Sequence, residues 1–447
     1  MQQNIFDQMD FGAFKEYIDN DDITDISYDN GGQIWIRSLT QGSVRVENPN
    51  INNAFVEKLA FQCSNVMGTT FNMAKPFLDA ESVELRMNFV HDSIATNGIA
   101  LVIRKTPAKI RLKETTLLQE DYVTKDVHDF LIKCVEGHCN IMVCGETGSG
   151  KTEFVKYLAS HTIANEKLIT IEDTLELHLD KIYPTRDIVA MKTNNIASYS
   201  DVLVTCMRQN PKWILLSEVR SAEAVLAVRN SISSGHNILS TIHSDKASAI
   251  PFRLYSLMES NVDLGQFLNT IYRYIQLGVH IKAFYSPKYG KFHREIDEVT
   301  EFYVNDDNEN ISNTIYHKIG DKIIKKAPSE HLMNYLLGQN IQVETKIVDE
   351  EGSAAEIMAN NGASGVEMQM VTEENKPELT ANAPLEYKNV NNNVNNTVNS
   401  EPVNNVVSSP VVEEKKVETL TEPNTYVSPK VDVPVLESGP QTVGELF

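Results

Sequence analysis

The chain holds 447 residues, 41 % of them hydrophobic, with 61 acidic against 40 basic side chains and a net charge of −21. That length suits roughly two to four domains with apolar material for at least two cores, and the acidic balance excludes a broad basic face for direct nucleic-acid binding. Five cysteines (Cys63, Cys134, Cys139, Cys144, Cys206) show no C-x-x-C spacing, which excludes a zinc ribbon or a disulfide framework and leaves reduced thiols.

The opening Met1-Gln-Gln-Asn-Ile-Phe-Asp7 has neither the basic nor the apolar stretch of a signal peptide. No window approaches the ~18–20 apolar residues of a membrane span, so the expected location is cytoplasmic, with membrane work done through partners. Asp22 to Ile36 reads as two short strands joined at Asn30-Gly31-Gly32, because both central residues of an Asn-Gly turn tolerate positive φ. Asn50 to Gly68 has helical periodicity, and Leu85–His91 and Ile99–Arg104 alternate like strands. Together these predict a smaller α+β domain over residues 1–107, a linker over 108–120, and a helix from Asp121 to Glu136 that opens a second domain over 121–335.

That helix leads into an apolar run, Ile141 to Cys144, which empties into Gly145-Glu-Thr-Gly-Ser-Gly-Lys-Thr152 and then a stretch of helical spacing. Strand, glycine-rich loop and helix in this order form the context of a phosphate loop. Gly145, Gly148 and Gly150 let the backbone curl so that the N–H groups of Glu146, Thr147 and Ser149 can turn toward phosphate oxygens. The following helix adds its positive end. In such a loop Lys151 reaches the β- and γ-phosphates and the Thr152 hydroxyl ligates Mg²⁺. The sequence therefore predicts binding of ATP with Mg²⁺.

Three further apolar runs follow, Lys167 to Asp173, Trp213 to Glu218 and Asn237 to His243, separated by a helix over Ala222 to Ser233. Each run ends on an acid or a histidine. Ligands of open parallel sheets sit beyond the carboxyl ends of the strands, so Lys151, Thr152, Glu172, Glu218 and His243 are expected at one edge. From Ile341 to Phe447 there are 18 acidic and 6 basic residues, and nine of the 18 residues from Asn389 to Val406 are Asn. Such a composition buries too little apolar surface to offset ordering entropy. Residues 336–447 thus read as a disordered acidic, Asn/Val-rich tail, with Thr442-Val-Gly-Glu-Leu-Phe447 as its docking stub.

The combination of the phosphate loop with Ile169-Thr-Ile-Glu-Asp-Thr-Leu-Glu176, Glu218-Val-Arg220 and Ser234-Gly-His-Asn-Ile-Leu-Ser-Thr-Ile-His243 resembles the secretion traffic ATPases, the motors of type II and type IV secretion, conjugation, and type IV or Flp/Tad pili. The resemblance runs from Asp22 to Val299 and includes Ile103-Arg-Lys105, Gln276-Leu-Gly-Val-His-Ile and Arg294-Glu-Ile-Asp-Glu-Val299. It implies a RecA-like phosphate-loop ATPase domain behind the α+β domain, a homo-hexameric ring, and partners among inner-membrane secretion or pilus platform proteins. It implies that Glu172 polarises the attacking water and that Glu218 organises Mg²⁺, two roles the sequence leaves exchangeable. Asp173 and Glu176 are weaker choices, shared with ordinary structural acids.

By the same resemblance His243 senses the γ-phosphate or serves as a hydrogen-bonded structural histidine. Arg208 and Arg220 fall where the family keeps phosphate-facing or interface arginines, and Arg86 and Arg104 are the cations the first domain contributes. Ser217 stands where the family commonly has Gly. The leading expectation is an ATP-hydrolysing motor of a type IV secretion or conjugation apparatus. A pilus assembly or retraction motor is the second, and a scaffold that binds ATP without hydrolysing it comes from another class.

Overall fold

The computed structural model describes residues 9–194, 196–258 and 262–343. Residues 344–447, most of the expected tail, lie outside the described residues. Two sheets organise what is described. The first contains β1 Ile23–Tyr28, β2 Ile34–Ser38, β3 Gly42–Val46, β4 Phe77–Glu81, β5 Leu85–Val90 and β6 Ala100–Lys105, antiparallel throughout and ordered β3-β2-β1-β6-β5-β4. The expected β1–β2 hairpin is present. The Asp29 carboxylate accepts from the Gly31 and Gln33 N–H groups at 2.9 and 2.8 Å, and Gly32 takes φ +82°.

Alternation assigns the two faces of this sheet. Ile26, Tyr28, Met87, Phe89, Leu101 and Ile103 are buried in one apolar core with the helix Asn53–Met67. Asn52 caps that helix by accepting from Phe55 N–H at 3.0 Å, and Gly68 ends it at φ +62°. On the opposite face Arg37, Asp25, Arg104, Arg86 and Glu81 are successive cross-strand partners on β2, β1, β6, β5 and β4. Strands β3 and β4 were not expected from sequence, because each is only five residues long and carries charged side chains among its apolar ones.

The second sheet is ordered β15-β14-β13-β12-β7-β11-β10-β8-β9. It comprises β7 Ile141–Gly145, β8 Leu168–Glu172, β9 Ile188–Lys192, β10 Trp213–Val219, β11 Asn237–Ile242, β12 Leu277–Ser286, β13 Lys291–Val304, β14 Asn310–Ile319 and β15 Lys322–Lys325. Strands β9, β8, β10, β11, β7 and β12 are parallel, and β12 to β15 continue antiparallel. Continuous apolar strands in a parallel sheet must be covered on both faces, and they are. Ile141, Val143, Leu168, Trp213 and Leu239 point to the core that holds the helices Lys125–Glu136, Lys151–Ser160 and Glu330–Gly338. Their neighbours Met142, Cys144, Ile169, Ile214 and Ile238 point to the core under Tyr199–Met207, Ala222–Ser233 and Leu264–Tyr274. This is the α/β, RecA-like arrangement implied by the resemblance, preceded by an α+β sheet.

Two expected boundaries shift. A short helix, Glu114–Gln119, forms inside the stretch read as a linker and buries Leu117. The helix Glu330–Gly338 crosses the limit drawn between residues 335 and 336. Leu332 and Leu336, one turn apart, are buried by it, and Ile341 and Val343 pack against the same core. Apolar spacing over so short a segment was masked by the polar composition that follows. Among the described residues no helix is long and apolar enough to cross a membrane.

Candidate functional site

The loop after β7 is shaped by its glycines. Gly145 has φ +146°, and a Cβ there would stand 2.3 Å from the Ile281 carbonyl oxygen on the neighbouring strand β12. Gly150, at φ +97°, occupies the N-cap position of the helix Lys151–Ser160, which has no side-chain cap. The first helical N–H groups are therefore free to bind an anion. The Lys151 ammonium is buried and donates to the carbonyls of Gly145 at 3.0 Å and Glu146 at 2.9 Å. Burial pushes its pKa down, and Glu218 acts against that shift.

Above this loop lies a cavity of about 420 Å³, within the roughly 300–1,000 Å³ usual for small-molecule sites. Of the residues expected from sequence, Thr147, Gly148, Gly150, Lys151, Thr152, Glu218, His243 and Arg104 line it. Parallel strand ends deliver Glu218 and His243, and β6 delivers Arg104 from the first sheet. Arg104 Nε donates to Asp25 Oδ1 at 3.0 Å. His243 Nε2 lies 2.7 Å from Glu218 Oε1. Burial first, then Lys151, push the His243 pKa below its ordinary value, which favours a neutral imidazole donating to Glu218.

Glu172 departs from its expected place. It is fully buried, does not line the cavity, and its Oε2 accepts from the N–H groups of Glu176 at 2.8 Å and Leu177 at 3.0 Å. The chain turns sharply after β8, and the two N–H groups exposed by that turn need an acceptor. Burial raises the Glu172 pKa to about 7. Glu176 lines the cavity instead, and its Oε2 accepts from Thr152 Oγ1 at 3.0 Å. The resemblance ranks Glu172 above Asp173 and Glu176; the turn after β8 brings Glu176 to the cavity and leaves Glu172 beneath it.

Other expected residues also stand elsewhere. Arg86 is the cross-strand neighbour of Arg104 but does not line the cavity. Arg208 caps the C-terminus of the helix Tyr199–Met207, away from the lining. Arg220 forms an ion pair with Asp173, outside it. Gly145, Glu146 and Ser149 do not line the cavity: Gly145 and Ser149 are buried, Glu146 is exposed, and the Gly145 and Glu146 carbonyls hold Lys151.

Three arginines that sequence reasoning missed line the cavity: Arg37, Arg111 and Arg294. A Cβ on Gly148 would lie 2.7 Å from Arg37 Nη1, so the guanidinium rests against the loop. Arg294 reaches the loop from β13, donating to Gly148 O at 3.4 Å and to Leu39 O at 3.2 Å. Arginine ion pairs among the described residues are Arg45–Glu47, Arg104–Asp25 and Arg220–Asp173, so these three have none there. Arg111 Nε and Nη2 are buried without a hydrogen-bond partner. Burial lowers the Arg294 pKa first, and Arg37 and Arg111 add to that against Tyr122. Arginines crowded on a cavity without an ion-pair partner among the described residues fit a polyanion. The signal for Arg294 was present in sequence, inside Arg294-Glu-Ile-Asp-Glu-Val299, but it read there only as a strand.

A magnesium nucleotide fits this donor set. The glycine cradle, the uncapped helix and the arginines suit phosphates, and Thr152, Glu176 and Glu218 offer hard oxygen atoms to a divalent cation.

Comparison with known proteins places these features. The family model described as type II/IV secretion system protein matches residues 75–401, well over half of the chain. An uncharacterised Bacillus anthracis protein is 31 % identical over 267 residues, covering 59 % of this chain and 60 % of that protein. The type IV secretion system protein VirB11 of Bartonella quintana is 37 % identical over 131 residues, 29 % of this chain and 36 % of its own length. The chain thus spans less than two thirds of the length of these curated relatives. Among solved structures, the Legionella pneumophila ATPase DotB aligns with a TM-score of 0.49 at 16 % identity, covering 76 % of this chain and 85 % of DotB. The chain belongs to the type II/IV secretion system protein family.

Proposed function

We propose that the protein is a cytoplasmic ATP-hydrolysing motor that powers a type IV secretion or conjugation apparatus as a homo-hexamer, working against inner-membrane platform proteins. Family membership supports the class, and the similar Bartonella protein is named as a type IV secretion component. The observation that carries the reading is the cavity itself. Glu218 comes from the second sheet and Lys151 and Thr152 from the helix that follows its strand β7, whereas Arg37 and Arg104 come from the first sheet. A triphosphate held there joins two lobes, so its hydrolysis removes a contact between them.

In this reading Lys151 exchanges its two carbonyl acceptors for phosphate oxygens. A bound Mg²⁺ supplies charge neutralisation at the phosphates. Thr152 donates its hydroxyl hydrogen bond to Glu176, which would leave an oxygen lone pair for the cation. Glu176, rather than Glu172, is the carboxylate placed to polarise a water. Neutral His243 orients Glu218. Arg104, Arg37 and Arg294 offset negative charge as the terminal phosphate departs, a role worth ~10³–10⁵ in rate for a single arginine in other phosphate-loop enzymes. The lobes, divided near residue 107, then rotate about the segment that follows (hinge and order-to-disorder repertoire).

Phosphate release from ATP by the purified chain tests the proposal. Turnover in the wild type that is abolished by Lys151→Ala is expected; equal turnover in both removes the phosphate-loop assignment.

A further inference from the structure

The charged row on the first sheet does not stop at the arginines. Its last member, Glu81 on the edge strand β4, pairs in register with Arg86 and reaches across to the second domain at two points. One carboxylate oxygen forms an ion pair with Lys192 on β9, and the other accepts from Leu175 N–H at 3.4 Å. Lys192 is the register partner of Glu172 on β8. Leu175 lies in the turn whose next two N–H groups are held by Glu172 and whose Glu176 accepts from Thr152. A single side chain of the first sheet therefore holds both this turn and the strand β9 beside it.

We propose that Glu81 is a positioning residue: by holding Lys192 and the Leu175 amide it makes the placement of the Glu176 carboxylate against Thr152 depend on where the first sheet sits. The proposal rests on the reading of Glu176 given above. Its physical basis is that the turn from Asp173 to Leu177 belongs to no helix or strand, so few backbone contacts fix it. Displacing a reacting group by about 1 Å can cost ~10²-fold in rate, whereas a half-exposed ion pair adds little to stability. The Glu81 and Lys192 side chains are 24 % and 38 % exposed. Loss of Glu81 therefore reads out in the turn and in turnover rather than in folding.

This arrangement adds to the contacts that join the two lobes apart from the nucleotide, such as Arg294 with the Leu39 carbonyl. Arg37 meets the phosphate loop at Gly148 at one end of the row, and Glu81 meets the acidic turn at the other. A rotation of the first sheet acts on both ends at once.

The test uses the full chain with Glu81→Ala, Glu81→Gln and Lys192→Met, each measured by amide hydrogen exchange over residues 173–177 and by steady-state ATP hydrolysis. Glu81→Ala is expected to speed exchange of the turn by about 10-fold, the signature of a local opening, with an unchanged melting temperature. It also lowers kcat by about 10-fold with KM within about twofold, as expected for a misplaced group. Glu81→Gln keeps an acceptor for Leu175, so it and Lys192→Met fall between Glu81→Ala and wild type. Unchanged exchange of the turn in Glu81→Ala overturns the proposal whatever the activity. Faster exchange in Glu81→Ala, where the wild type itself shows no ATP turnover, keeps the contact and removes the motor reading instead. Faster exchange with an unchanged kcat, where the wild type is active and Lys151→Ala is not, also overturns it.

Discussion

The Thr152 hydroxyl donates to Glu176 Oε2 at 3.0 Å, while Glu172, four residues earlier, is sealed beneath the turn that presents Glu176. The two acids thus divide their work by position. One satisfies backbone N–H groups, and the other meets Thr152 in the first turn of the phosphate-loop helix. A carboxylate that must polarise water needs access to it, and only Glu176 lines the cavity.

Glutamine substitution separates the two. Glu176→Gln should bind ATP but turn over at least ~10²-fold more slowly, the scale of a lost general base. Glu172→Gln keeps an amide oxygen for the Glu176 and Leu177 N–H groups and should stay within a few-fold of wild type. Steady-state kcat of the pair decides; the reverse order returns the role to Glu172.

The raised pKa of Glu172 carries a sign for stability. Its folded value is about 7 against an ordinary 4.5 because burial disfavours the carboxylate. Between these values the folded state holds a proton that the unfolded chain has released, so stability falls as pH rises from about 4.5 to about 7. Glu172→Gln removes this contribution. Melting curves across that window should show a shallower decline for the variant than for wild type, and parallel curves contradict the assignment.

Much of the fold was legible because its signals are contiguous. The phosphate loop needs eight adjacent residues, and the apolar strands β7, β8, β10 and β11 each announce themselves over five to seven positions. The arginines of the site carry no such signal. Arg294 meets Gly148 across 146 residues of chain, and Arg37 meets it from a strand of another sheet. Only the packing of the two sheets brings them together. Arg86 shares a face and a row with Arg104, but the cavity opens over Arg37, Asp25 and Arg104 and stops short of Arg86. The Glu172–Glu176 choice lay in turn geometry, which composition does not encode.

Gly145 offers a stability test of the loop. An Ala there must take φ +146° and place its Cβ 2.3 Å from Ile281 O, a backbone site worth roughly 1–3 kcal/mol in strain before the clash is counted. Gly145→Ala should lower the denaturation midpoint and weaken nucleotide binding together. Gly290→Ala also takes a positive φ but meets no atom within 4 Å, so it should cost less and leave binding intact. Equal effects of the two would place the constraint in φ alone.

In the proposed motor, cations of the first sheet complete a nucleotide site built on the second. Equilibrium titration of a non-hydrolysable ATP analogue with Mg²⁺ against wild type, Arg37→Ala/Arg104→Ala and Arg86→Ala measures it directly. The double variant should bind at least ~10-fold more weakly, the scale of one charged hydrogen bond lost, while Arg86→Ala binds as wild type. Equal affinity in all three proteins contradicts the claim.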